Sequence, residues 1–182
     1  MKLRAVVPPL VAVAVALVVV LGYWYLSAPE STKVKVGQLA PDLTLPFVGG
    51  SGRLTLSNFR GQPVLLVMFL SGCHICEREI AQVQVIHRLY IKRGLTVLGV
   101  SVDPDAATRD AFVRRHKLTF PVLGDDKGVA VRAAYGSWKF PEAYLLDSSG
   151  RVDTIWLGSV SWRSDEVRDR IKRLLPPDFQ VR

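Results

Sequence analysis

Residues 63–70 (PVLLVMFL) carry no polar side chain, and three positions beyond them the chain reads Cys73-His74-Ile75-Cys76. An apolar run of that length, rich in Val and Leu, is a strand covered on both faces. Residues 75–92 then set Ile80, Val83, Ile86 or His87, and Tyr90 on one stripe of a helix that Gly94 stops. A strand covered on both faces that hands its end to a long helix calls for a sheet with helices on both sides.

The remaining segments fit that demand. Residues 43–45 and 54–56 read as short edge strands around Gly49-Gly50-Ser51-Gly52, and residues 95–102 as a second apolar strand. Asp103-Pro104-Asp105 opens a helix to residue 116, with Asp capping and Pro in the first turn. A short strand (120–123), a short helix (127–135), a hairpin (143–146 and 152–156) turned by Asp147-Ser148-Ser149-Gly150, and a helix (163–175) before Pro176-Pro177 complete the chain. The order predicts an α/β fold: a central mixed sheet flanked by helices, with no internal repeat.

A second constraint lies at the N-terminus. Residues 5–26 contain no charge, and as a helix they span about 33 Å, enough for roughly 30 Å of hydrocarbon. Lys2 and Arg4 precede the run and Tyr23-Trp24-Tyr25 close it, so the positive-inside bias leaves residues 1–4 in the cytoplasm. Pro8 and Pro9 fall in the first turns, where a missing N–H costs least. A cleaved signal peptide is the rival reading. Its apolar core would be shorter and would end in small residues, not in bulky Tyr23, Trp24, Tyr25 and Leu26. The expected organisation is a cytoplasmic N-terminus (1–4), a transmembrane anchor (5–26), a polar linker (27–36) and one domain (37–182). That places a single-pass protein in the cytoplasmic membrane with its catalytic domain on the extracytoplasmic, periplasmic side.

The 182 residues carry 24 Lys and Arg against 16 Asp and Glu, a net charge of +8. The basic residues are scattered and form no tract, so nucleic acid is not an expected partner. In the last helix Arg163, Arg168, Arg170, Lys172 and Arg173 alternate with Asp165, Glu166 and Asp169, which describes a solvated face.

The two cysteines of the chain are Cys73 and Cys76. At a helix start, unpaired N–H groups and the dipole favour an anion on Cys73. Cys76, one turn in, is close enough to attack a mixed disulfide held on Cys73, a division of labour that amounts to thiol–disulfide exchange. A c-type haem attachment needs His directly after the second Cys, where Glu77 stands. A structural zinc site needs four ligands from a chain with two Cys and three His (His74, His87, His116). A plain structural disulfide would close a very small loop and stabilise little. His74 is either a solvated residue or a group that raises the potential of the pair. Glu79 is either an exposed first-turn acid favoured by the dipole or a proton relay for Cys76.

Strand, Cys-x-x-Cys, helix and the later Phe140-Pro141 together resemble the thioredoxin-like superfamily, and most closely its membrane-anchored redoxins, thiol-disulfide oxidoreductases related to cytochrome c maturation proteins. The likeness runs over residues 36–160 through Gly37-Gln-Leu-Ala-Pro41-Asp42, Leu56-Ser-Asn-Phe-Arg-Gly61, the turn from Phe69 to Glu79, Val100-Ser-Val-Asp103, Phe120-Pro-Val-Leu-Gly-Asp125 and Pro141-Glu-Ala-Tyr-Leu-Leu-Asp147. It implies a thioredoxin-like fold, Cys73 as nucleophile, Cys76 as resolving thiol, and a cis Pro141 that with Phe140 forms the substrate-side wall. Glu79 matches an acid carried by many anchored members, whereas Val67 stands where thioredoxins have a buried acid. The resemblance implies no cofactor and no metal, a monomer, protein disulfides or dithiols as substrates, and a membrane redox partner. Gly72 stands where a Trp commonly precedes the nucleophile, and His74-Ile75 replaces a Pro-containing dipeptide. Two other readings stay open. A peroxiredoxin would need Thr or Ser at Leu70 and Pro at Leu66; a copper-delivery protein of the same fold would need a Cys pair spaced one residue wider.

Overall fold

The computed structural model describes residues 9–26 and 32–176. The chain divides into two units, Met1–Ser31 and Thr32–Arg182. In the first, α1 (Pro9–Leu26) is an 18-residue apolar helix, about 27 Å long at 1.5 Å per residue. Among the described residues no helix is long and apolar enough to cross a membrane. The expected span began at residue 5, and residues 5–8, like residues 1–4 and 27–31 of the expected cytoplasmic segment and linker, lie outside the described residues.

The second unit is built on a five-stranded sheet in the order β5-β4-β3-β6-β7. Its strands are β3 (Val64–Phe69), β4 (Thr96–Ser101), β5 (Val122–Gly124), β6 (Glu142–Leu146) and β7 (Val152–Leu157). β3 runs parallel to β4, and β4 to β5, while β6 pairs antiparallel with both β3 and β7. The expected mixed sheet is therefore present, with its most apolar strand at the centre. A separate ribbon pairs β1 (Thr44–Pro46) with β2 (Arg53–Thr55).

All six residues of β3 are buried, and its alternation assigns them to opposite faces. Leu65, Val67 and Phe69 join Cys76, Ile80, Val83 and Ile86 of α2 (His74–Tyr90), together with Phe112 of α3 (Ala106–Arg115) and Ile171 of α5 (Asp165–Leu174). Val64, Leu66 and Met68 pack with Val131 and Tyr135 of α4 (Val129–Tyr135), and with Tyr144. Each fully buried Leu, Ile or Phe contributes about 1.5–3 kcal/mol, so the sheet is held from both sides.

Local chemistry sets the helix ends. Asp105 caps α3 by accepting from Thr108 N at 2.8 Å, so Pro104 precedes the cap and does not occupy the first turn. The helix expected from residue 127 begins at Val129 because Lys127 and Gly128 both have positive φ, and the buried Asp125 accepts from the amides of Ala130 and Val131. A side chain at Gly128 would stand 3.2 Å from Val102 Cβ. The described part of the expected linker is docked on the domain: Lys33 N donates to Tyr135 O at 2.7 Å, and Val34 is buried in the core.

Candidate active site

Cys73 is the N-cap of α2, and its sulfur accepts from Cys76 N at 3.2 Å. That contact is the capping bond a Ser or Asp would make, so a turn-forming requirement of the helix also fixes the sulfur over the helix start. Both cysteines are free thiols, Cys73 half-buried and Cys76 fully buried. Burial, reinforced by the hydrogen bond with Cys73, pushes the Cys76 thiol up to about 12. The two sulfurs therefore differ in accessibility, the Cys73 sulfur partly open to solvent and the Cys76 sulfur shielded behind it.

The turn before Cys73 is clamped. Asp103, buried at the end of β4, accepts from Ser71 N at 3.0 and 3.1 Å, from Ser71 Oγ at 2.7 Å and from Ser101 Oγ at 2.6 Å. Asp103 is expected from the sequence at the opening of α3. Its carboxylate instead turns inward, a role whose signal was the pair of serines at positions 71 and 101. Gly72 follows with φ +76°, a conformation that favours glycine.

From the other side, the Phe140–Pro141 bond is cis. Phe140 O lies 4.0 Å from Cys73 Sγ, within reach of its S–H, and Pro141 O accepts from Gly158 N at 2.9 Å. Phe140 is half-buried and Pro141 buried. The structure thus brings Cys73, Cys76, Phe140 and Pro141 together, while His74, the first residue of α2, is exposed.

Glu79 is not an exposed first-turn acid. It is 2% exposed; Oε1 accepts from Ser159 Oγ at 2.8 Å, and Oε2 accepts from Val160 N at 3.2 Å and from Trp162 Nε1. Three donors from one loop account for an acid in the core, since a buried polar group must find hydrogen-bond partners there. A second buried acid, Glu142, was not singled out from the sequence. It follows Pro141, accepts from Ser137 Oγ at 2.6 Å and Tyr144 OH at 2.7 Å, and burial raises its carboxyl above the usual range against the effect of those bonds. Among the described residues, no cluster of three or more His, Cys, Asp or Glu side chains is placed to hold a metal ion.

The AhpC/TSA family model matches residues 36–155. Thiol-disulfide oxidoreductase ResA of Geobacillus thermodenitrificans (strain NG80-2) is 30% identical over 147 residues, which cover 81% of this chain and 82% of that protein. Thioredoxin-like protein YneN of Bacillus subtilis (strain 168) is 29% identical over 162 residues, 85% of this chain and 93% of that one. Among solved structures, a Chlorobium tepidum chain provisionally assigned as thiol:disulfide interchange protein DsbE superposes with a TM-score of 0.71 at 25% identity, covering 78% of this chain and 99% of the other.

Proposed function

The chain belongs to the AhpC/TSA family and is a thiol-disulfide oxidoreductase, and on that premise we propose that it reduces protein disulfides outside the cytoplasmic membrane through the Cys73/Cys76 dithiol. The observation that carries this reading is the asymmetry of the pair: a half-buried Cys73 sulfur at the helix cap, beside Phe140 O and cis Pro141, with Cys76 buried behind it.

The Cys73 thiolate attacks one sulfur of the substrate disulfide. The S–S bond breaks, and the departing sulfur leaves as a thiolate that takes a proton from water. Cys76 then loses its proton and attacks Cys73 Sγ, releasing the second substrate sulfur as a thiol. The substrate has gained two electrons and two protons, and a dithiol partner at the membrane must return them to the Cys73–Cys76 disulfide. Because the Cys76 thiol is held near 12, its proton has to be drawn off during resolution. Glu79, one turn further along α2, is the proposed relay, and exposed His74 the group that tunes the pair. The Phe140 backbone, beside the nucleophile, receives the substrate strand.

The extracytoplasmic placement rests on residues 5–26 staying attached as the anchor, with Lys2 and Arg4 inside. Intact mass of membrane-extracted protein tests it; a mass beginning near residue 28 overturns it. The reductive direction rests on the single anchored domain, which fits the cytochrome c maturation side of the resemblance. Titration against glutathione tests that direction, and a potential above about −150 mV overturns it, since thioredoxin lies near −270 mV and the oxidant DsbA near −120 mV. The Cys73/Cys76 assignment itself is tested by trapping. Cys76→Ser is expected to hold substrate covalently on Cys73, and Cys73→Ser to hold none.

A further inference from the structure

Between α4 and β6 the chain runs through Gly136, Ser137, Trp138 and Lys139 to Pro141 and to Phe140, whose carbonyl lies 4.0 Å from Cys73 Sγ. The middle of this loop has little packing of its own. Trp138 is 67% exposed, with the Arg132 guanidinium 5.0 Å from its ring centroid, and Lys139 is exposed. The loop therefore takes its position from its two stems, and both stems are tied by buried polar groups. Ser137 Oγ donates to Glu142 Oε2 at 2.6 Å, joining one stem to the other.

One residue far away in the sequence reaches both stems. Thr32 Oγ1 donates to Tyr135 O at 3.2 Å, beside Lys33 N, which donates to the same carbonyl at 2.7 Å. On the other stem, Tyr144 OH stands 2.7 Å from Glu142 Oε2 and 3.0 Å from Thr32 Oγ1 and donates to one or the other. The Thr32 hydroxyl is held in turn by Val34 N, which donates to it at 3.1 Å, and Val34 is buried in the core. Ser137, Glu142 and Tyr144 are buried, where a hydrogen-bond partner is expensive to lose. Without its hydroxyl, Thr32 would release Tyr135 O and Tyr144 OH together, while the bond between Cys73 and Cys76 N would stay in place.

We propose that Thr32 is a positioning residue for the substrate side of the active site. Its hydroxyl holds both stems of the loop that presents Phe140, and so sets the affinity for a polypeptide disulfide without touching the substrate. Resting on the disulfide-exchange reading of Cys73 and Cys76, this role gives the segment expected as a linker a part in substrate binding.

The test compares the reduced full chain with Thr32→Val, Thr32→Ser and Tyr144→Phe, all in detergent. The substrates are a synthetic peptide disulfide and hydroxyethyl disulfide, which is too small to extend along the loop. Thr32→Val keeps the branched shape and drops the hydroxyl. Its single-turnover reduction of the peptide is expected to need about fivefold more peptide for half-saturation, the scale of one lost hydrogen bond. The limiting rate and the rate on hydroxyethyl disulfide stay at the wild-type values. Tyr144→Phe, which removes the bridge to Glu142, gives the same split and covers the case in which Thr32→Val does not fold. Thr32→Ser retains a hydroxyl and returns the half-saturation to the wild-type value. An unchanged half-saturation in either Thr32→Val or Tyr144→Phe, or an equal loss of rate on both disulfides, overturns the positioning role while leaving disulfide exchange standing. So does a Thr32→Ser protein that behaves like Thr32→Val. Failure of the wild-type chain to reduce either disulfide overturns the exchange reading and the positioning role with it.

Discussion

The indole Nε1 of Trp162 donates to Oε2 of Glu79 across 83 residues of chain, and both side chains are buried. Ser159 and Val160 bind the same carboxylate, so the segment after β7 is tied to the first turns of α2. Gly158, at the start of that segment, donates to Pro141 O. One short loop therefore joins the acid on the cysteine helix to the cis proline whose neighbour Phe140 lies against Cys73.

That linkage separates two roles for Glu79. Glu79→Ala leaves the Trp162 N–H and the Val160 amide without their acceptor, and the expected cost is about 2–4 kcal/mol, read from urea unfolding. Glu79→Gln keeps an acceptor oxygen and is expected to recover part of it. A residue that only moves protons would slow resolution of the mixed disulfide and leave the urea midpoint of Glu79→Ala unchanged.

The layered core was legible because it depends on local patterns. β3, α2 and β4 follow from unbroken or periodic apolar runs, and the choice between Ile86 and His87 on the α2 stripe dissolves because both are buried. The cysteine pair was legible from spacing alone. What the sequence hid were the carboxylates: Asp103, Asp125, Glu79 and Glu142 are all buried, and their donors come from Ser71, Val131, Trp162 and Tyr144. Acids of this kind look like surface residues in a sequence, because only the tertiary fold supplies the donors that let them leave water.

Cys76 is expected to resist alkylation over the range in which Cys73 reacts. Burial and the Cys73 contact favour its neutral thiol, with the value pushed from 9.0 to about 12, and iodoacetamide consumes only the thiolate. Peptide mapping after limiting iodoacetamide at pH 7–9 should find label on Cys73 and very little on Cys76. Equal labelling of the two would remove the asymmetry on which the order of attack depends.

Glu142 should make the protein less stable as pH rises from the acid side. Burial raises its carboxyl, so the folded state prefers the protonated form. The stability from that preference is complete below the unfolded value near 4.5 and is lost as pH climbs through the raised folded value. Glu142→Gln keeps an oxygen for Ser137 and Tyr144 without the charge. Its Tm relative to the wild type is therefore expected to improve between pH 4 and pH 8. A difference in Tm that stays constant across that range would mean that Glu142 ionises as easily folded as unfolded.

His87 should act in the opposite sense. Burial, aided by the adjacent Arg88, lowers its imidazole below the ordinary value of 6.5. Its Nδ1 is buried without a hydrogen-bond partner, and its ring meets Phe120 edge-on at 5.7 Å. The folded state therefore holds the neutral ring. The contribution is complete above 6.5, the unfolded value, and is lost as pH falls through the lowered folded value, because below 6.5 the unfolded chain takes up a proton that the folded chain refuses. His87→Leu keeps an apolar group on the α2 stripe and removes both the orphaned nitrogen and the titration. Urea midpoints of wild type and variant should lie close together at pH 7.5, with the variant pulling ahead at pH 5.5. An equal gap at the two pH values would show that the buried ring protonates freely in the folded protein.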